Sequence, residues 1–228
     1  MKRAYLFAWA AFLGLFISSC AGVGSSGAAI QLRFTEVPPP EAVSIVGDPA
    51  AADMLKEQPV EEGSFVIYTK NDDRDNAYVG FRAEDAFYEI GILAGANYDP
   101  KLMNAAYEQA FGKRVFVLSG PTGAKSGKFY FVEIVDDRPV ILASLSGNGV
   151  NVVGQGGDAR IVLTYFDGPR IDATIYRLRD GLERAVVGQA VPAQSVHFRS
   201  DRIFEIRSLT GGVSAYKLSE DTLREVDM

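Results

Sequence analysis

From about residue 63 to residue 226, apolar and polar side chains alternate with a period of two or run apolar between turn signals. SFVIYTK (64–70), AYVGFRA (77–83), AFYEIGIL (86–93), RVFVLSG (114–120), KFYFVEIV (128–135), PVILASL (139–145), ARIVLTYF (159–166), DATIYRL (172–178) and RAVVGQA (184–190) each read as a strand, and so do SVHFRS (195–200), RIFEIRS (202–208), VSAYKLS (213–219) and TLREV (222–226). The separators are short and rich in turn formers: Asn71–Asn76, Asp136-Asp137-Arg138-Pro139, Asp167-Gly168-Pro169, Asp180-Gly181, Ser200-Asp201 and Gly211-Gly212. Connections of that length join antiparallel neighbours. The expected fold class is mainly β, built of antiparallel hairpins in a propeller-like or stacked-sheet arrangement, with one or two short helices.

Two segments carry the helical expectation. Pro49 to Glu57 (PAAADMLKE) has helix formers behind an early proline and stops before Pro59. Asp99 to Phe111 (DPKLMNAAYEQAF) has Asp99 as a candidate N-cap, Pro100 at the first helical position and Gly112 as a stop. Leu102, Ala106 and Ala110 recur at i, i+4 and i+8, flanked by Met103 and Tyr107. Pro38-Pro39-Pro40 supports neither helix nor central strand and reads as an extended lead-in.

A faint internal echo joins Phe87-Tyr88-Glu89-Ile90, Phe131-Val132-Glu133-Ile134 and Ile203-Phe204-Glu205-Ile206. Glu89 and Glu133 lie 44 positions apart, near the roughly 40–45 residues of a four-stranded propeller blade. Glu205 follows after 72 more and breaks the period; independent strands with a solvent-facing glutamate would read the same way. In style, residues 63–226, with hairpins ending in Asp-Gly or Asp-Asp, resemble Gram-positive lipoproteins with partial β-propeller domains of the integrin-repeat type.

The amino terminus has a different character. Lys2 and Arg3 precede an uncharged run of fourteen residues, Ala4 to Ile17, and then Ser18, Ser19 and Cys20. As helix, that run covers about 21 Å, short of the roughly 30 Å hydrocarbon core, so it reads as a secretory signal. Ile17-Ser18-Ser19-Cys20 resembles the lipobox of bacterial lipoproteins. The resemblance implies that the Cys20 thiol receives a diacylglycerol and that signal peptidase II cuts before it, leaving Cys20 as the mature N-terminus. Because Ala21 is not acidic, it also implies sorting to the outer membrane in a bacterium with two membranes. An ordinary signal peptide or an uncleaved anchor is the alternative. The expected organisation is a signal over 1–19, a lipidated cysteine and flexible, proline-rich tether over 20–40, and one mainly-β domain over 41–228.

Composition narrows the chemistry. The chain has 228 residues, 47% hydrophobic and 23% charged, which places it among globular proteins. One cysteine and one histidine exclude a disulfide framework and a zinc site of the Cys/His kind. The formal charge is −6; removing Lys2 and Arg3 with the signal leaves 21 basic and 29 acidic side chains, or −8. Such a body has no general attraction to nucleic acid or anionic lipid, and Lys113-Arg114 is the longest basic pair after the signal.

Several stretches imitate catalytic motifs. Gly154-Gln155-Gly156-Gly157-Asp158-Ala159 fits a dinucleotide fingerprint but leads into strand-like ARIVLTYF, so no helix N-terminus is available. Gly123 to Lys128 resembles a P-loop, but Phe129 stands where a magnesium-binding hydroxyl is required. Asn71, Asp73 and Asp75 have the odd-position spacing of a calcium loop, with Asn76 at the tight-turn position and Arg82 where the bidentate glutamate belongs; a polar hairpin turn is the alternative. His197 is expected to face solvent between core-facing Val196 and Phe198, and no Gly-x-Ser-x-Gly elbow exists.

No catalytic residue is therefore assigned, and no cofactor beyond a possible calcium ion. Two functions remain. One is a non-catalytic binding or scaffolding module of the cell envelope, held to the membrane through diacylglycerol on Cys20, with an envelope protein or glycan as partner and no nucleic acid. The other is a carboxylate-dependent hydrolase of envelope or extracellular polysaccharide, which would need two acids roughly 5–10 Å apart in a pocket.

Overall fold

The computed structural model describes residues 29–46, 53–199 and 202–227, so Ile17, Ser18, Ser19 and Cys20 lie outside the described residues. Three short strands come first: β1 (Ile30–Gln31), β2 (Thr35–Glu36) and β3 (Ser44–Val46). Sixteen more follow as four antiparallel meanders. Sheet I holds β4 (Asp53–Val60), β5 (Gly63–Lys70), β6 (Asp73–Arg82) and β7 (Phe87–Gly95); sheet II holds β8 (Asn104–Ala110), β9 (Lys113–Gly123), β10 (Ser126–Val135) and β11 (Arg138–Gly147). Sheet III holds β12 (Gly149–Val153), β13 (Arg160–Asp167), β14 (Arg170–Leu178) and β15 (Leu182–Val186); sheet IV holds β16 (Ala193–Phe198), β17 (Ile203–Ser208), β18 (Val213–Ser219) and β19 (Thr222–Val226). The mainly-β, antiparallel expectation holds.

The sheets stack in chain order, with an apolar layer between each pair. Phe65, Ile67, Val79 and Phe81 of sheet I meet Phe116, Leu118 and Val132 of sheet II. Val115, Val117, Phe131 and Leu145 of sheet II meet Ile161, Leu163 and Tyr176 of sheet III. Val162, Ile175 and Ala185 of sheet III meet Val196, Phe204, Ile206 and Leu218 of sheet IV. Sheets II and III therefore bury both faces, which is why VFVL in β9 and IVL in β13 run apolar without alternating. Glycine allows the sheets to approach closely. A Cβ at Gly120 would lie 2.7 Å from the Leu93 carbonyl oxygen, and one at Gly147 would lie 2.7 Å from that of Thr164.

The amino-terminal segment is a strap along one side of this stack. It adds β1 beside β19, β2 beside β15 and β3 beside β7, so it visits sheets IV, III and I in turn. Its apolar side chains follow the same order: Ile30, Leu32 and Phe34 enter the layer between sheets III and IV, Val37 the layer between II and III, and Val43 the layer between I and II. Among the described residues, sheet II is the one to which no strap strand is added. Pro38-Pro39-Pro40, which lack N–H donors, occupy the part of the strap between β2 and β3.

Both helical expectations are corrected. Of Pro49–Glu57, residues 49–52 lie outside the described residues, and Asp53 onward belongs to β4. Pro59 is accommodated there because β4 is an edge strand. Asp99 does cap a turn, accepting from the Lys101 N–H at 2.9 Å, but that 3₁₀ turn ends at Leu102 and the chain continues as β8. Phe111 (φ 57°) and Gly112 (φ 73°) form the tight hairpin turn into β9, so Gly112 ends a strand and not a helix. The one α-helical turn among the described residues, α1 (Val187–Ala190), falls inside the expected strand RAVVGQA. Asp172 there accepts from the Gly188 N–H at 2.9 Å and turns the chain towards β16.

The Glu-Ile echo does not mark the structural repeat. Glu89 lies on the last strand of sheet I, Glu133 on the third of sheet II and Glu205 on the second of sheet IV. If the strap holds the layers, Leu32→Ala, at a side chain only 3% exposed, lowers unfolding stability by about 2–5 kcal/mol. Urea unfolding measures this, and a loss below about 1 kcal/mol would show that the strap merely rests on the stack.

Candidate functional site

The densest polar cluster lies where β14, β15 and the β18–β19 turn meet the strap. Arg177 and Arg160 are buried arginines within otherwise apolar strands. Arg177 donates through Nε to Glu183 at 2.6 Å and through Nη1 to Asp221, while Arg179 reaches Asp221 at 3.2 Å and Arg160 stands 3.9 Å from it. The Phe34 ring stacks on the Arg177 guanidinium at 3.8 Å. Burial opposes the Arg177 charge, but the bonds to Glu183 and Asp221 outweigh it and hold its pKa above the ordinary value. Burial lowers that of Arg160, partly offset by Asp221. The Asp221 carbonyl oxygen accepts from the Leu32 N–H at 2.8 Å and from the Gln31 side chain at 3.1 Å. This cluster fastens the strap.

A second polar cluster lies on the face of sheet I turned away from sheet II. Tyr68, Tyr78 and Phe87 pack there with ring centroids 5.5–5.9 Å apart. The Tyr68 hydroxyl donates to Glu89 at 2.6 Å, and Lys70 Nζ lies 2.8 Å from the same carboxylate and 4.0 Å from the Tyr78 ring centroid. Burial, followed by the Glu89 bond, pushes the Tyr68 phenol far up, which keeps it a donor. The Tyr78 hydroxyl donates to Asp73 at 2.5 Å; this bond and burial push the phenol up to about 12. Beside them Glu57 accepts from Ser64 at 2.6 Å and pairs with Arg82 at 2.8 Å. Every acid here already holds a donor, which suits it to fixing geometry more than to exchanging protons.

Asn71 and Asp72 form the turn between β5 and β6, and Asp73 opens β6. Both Asp73 oxygens accept from Asn76, at 2.9 and 3.1 Å, and Asn71 Oδ1 accepts from Arg74 at 3.4 Å. Among the described residues no group of three or more His, Cys, Asp or Glu side chains is arranged to hold a metal ion. Gly156–Asp158 is a 3₁₀ turn leading into β13, and the turn of Ala124 and Lys125 joins β9 to β10. His197 is exposed between buried Val196 and half-buried Phe198, opposite Glu205 on β17. Glu89 and Glu205 lie on the outward faces of sheets I and IV, but neither they nor Glu133 are free: all three are half-buried and pair with Lys70, Lys113 and Arg199 respectively.

Sequence reading did not single out Arg160, Arg177 or Asp221. The available signal was an arginine inside an apolar strand, as in ARIVL and ATIYRL, which requires a buried anion from elsewhere in the chain. No family model matches the chain, and no curated protein or solved structure matches it.

Asp221→Ala leaves Arg177 and Arg160 buried without their shared anion. It is expected to cost about 3–5 kcal/mol in urea unfolding, and a cost within about 1 kcal/mol would show that the cluster does not hold the strap. The Asp73 carboxyl is held below its usual value first by the Tyr78 hydrogen bond and then by Asn76. A depressed carboxylate stabilises the fold above its unfolded pKa and loses that contribution as pH falls through its folded pKa. Tyr78→Phe is therefore expected to move the Asp73 midpoint up towards the ordinary carboxylate range in an NMR pH titration; an unchanged midpoint would remove the phenol as the cause.

Proposed function

We propose that the chain is an extracytoplasmic lipoprotein whose β stack serves as a non-catalytic binding or scaffolding module of the cell envelope. The observation that carries this is Ile17-Ser18-Ser19-Cys20 placed directly after a basic start and an uncharged run of fourteen residues. Diacylglycerol on Cys20 supplies two acyl chains, enough for stable attachment where one is marginal. The partner is an envelope protein or glycan, and in a bacterium with two membranes the sorting pattern at Ala21 favours the outer one.

The arrangement of the folded body is consistent with this reading. Ile30 follows Cys20 by ten positions, so a fully extended tether keeps β1 within roughly 33–36 Å of the anchor. Among the half-buried acids, Glu57, Glu89, Glu133, Glu183 and Asp221 are each engaged by a lysine or arginine, while Asp73 is held by Tyr78 and Asn76 and Asp172 by the Ala173 and Gly188 N–H groups. A carboxylate-dependent hydrolase would need a pair of acids free to give and take a proton.

Cells fed an alkyne fatty acid should label the wild-type protein and not Cys20→Ala, and the variant should accumulate as an uncleaved or mislocalised precursor. A Cys20→Ala protein that is still labelled, or that stays in the membrane with a mature N-terminus elsewhere, would refute the assignment.

A further inference from the structure

Sheet IV closes one end of the stack, and its two faces differ in kind. Val196, Phe204, Ile206, Leu218 and Leu223 point into the layer shared with sheet III. The residues between them point the opposite way, because side chains alternate along a strand. That outer face carries Arg199 after β16, Arg207 on β17, Lys217 on β18 and Arg224 on β19, all exposed. The register sets Lys217 directly opposite Arg224 on one side and Ile203 on the other, while Arg207, opposite Val213, lies four positions further along the same face. Glu205 is the one carboxylate in these rows among the described residues, and Arg199 already engages it.

Two features make this face unusual for the chain that bears it. The protein as a whole has more acids than bases, 29 against 23, yet no ion pair engages Arg207, Lys217 or Arg224 among the described residues. Like charges directly across an antiparallel ladder, such as Lys217 and Arg224, are destabilising. At one rim a recess of about 440 Å³ adds Arg202 beside Lys217, backed by Gly154.

The position of the tether identifies the counter-charge. β1 pairs with β19, the strand that carries Arg224. The ten residues from Cys20 to Ile30 therefore enter the fold at the edge of this same sheet. We infer that the outer face of sheet IV docks on an anionic lipid surface, with Arg207, Lys217 and Arg224 facing the headgroups. This rests on the reading of Cys20 as acylated, since the anchor holds the face within reach. Each basic residue near an anionic membrane strengthens attachment about fivefold, and the attraction falls away within a Debye length. The acid-rich remainder of the body is repelled by the same surface, so the charge distribution orients the molecule as well as holding it.

The test uses the acylated protein purified from membranes and returned to vesicles, either of phosphatidylcholine alone or with about a third phosphatidylglycerol. Reaction of lysines with an amine acylating reagent is read residue by residue by mass spectrometry, with exposed Lys101 and Lys125 as references. Lys217 should react at least about fivefold more slowly on the anionic vesicles, and the protection should vanish near 1 M salt. Arg207→Glu with Arg224→Glu should restore Lys217 reactivity while the protein stays vesicle-bound through its lipid; Arg207→Gln with Arg224→Gln should fall between. Equal Lys217 reactivity on both vesicles, with the acyl mass present, overturns the docking face and leaves the anchor standing. Protection that follows protein density instead of lipid charge identifies a second copy of the chain and also overturns it. Absence of the acyl mass on Cys20 overturns both readings.

Discussion

A four-stranded meander has two edges and two faces, and four of them in series must cover most of both. Stacking covers the faces: six of the eight lie in the layers between sheets, and the two outermost carry the Tyr68–Glu89–Lys70 group and the Arg199–Glu205 pair. The edges are the harder requirement, because each presents unpaired N–H and C=O groups. The strap covers the last-strand edge of sheets I, III and IV and leaves three side chains in the layer between sheets III and IV and one in each of the other two. At the first-strand edges of sheets I and II side chains take over. Gln58 of β4 accepts from the Ala105 N–H at 3.2 Å and donates to its carbonyl at 2.5 Å, while Lys56 donates to the Met103 carbonyl at 2.7 Å. An amide side chain thus replaces a strand partner where the two sheets diverge.

The fold class was legible because period-two alternation and short polar turns are local signals, and thirteen segments carried them. The strap was not, since its partners lie as far away as Leu223 is from Ile30, 193 positions, and its strands are two or three residues long. The missed strand β8 shows how the helix reading failed. Leu102, Ala106 and Ala110 are spaced by four, which is also an even number, so a strand places them on one face as well. Alanine's weak strand preference was overridden by pairing with β9 and by the Gln58 bridge. Asp99 and Pro100 fit their capping positions, but a cap specifies where a turn begins and not how far it runs.

Charge followed the same logic. The sequence shows no basic run, and the acid excess suggested a body indifferent to anionic surfaces. Residues 207, 217 and 224 are too widely separated to register as a cluster along the chain. Strand alternation and hairpin register place Lys217 and Arg224 side by side, with Arg207 on the same face, while the neighbouring acids Glu220 and Glu225 fall at the turn and on the other row of the ladder. Net charge is a property of composition; a charged face is a property of register, and only the second decides which way a tethered protein turns.

The strap also decides how an anchored body would bear load. β1 contributes only two residues to its ladder with β19, and a ladder that short resists little by itself. Beyond it, within three residues, come buried Leu32, the Leu32 N–H bonded to the Asp221 carbonyl, and Phe34 stacked on Arg177. Arg177 is itself held by Glu183 of sheet III and by Asp221 at the turn of sheet IV. In an acylated protein, tension entering at β1 would therefore pass at once to two sheets and an apolar layer, and would have to break the ion pairs of Arg177 before peeling the strap. The ion-paired cluster around Asp221 thus sits beside β1, so the hold on the strap and the stability of the stack rest on the same residues.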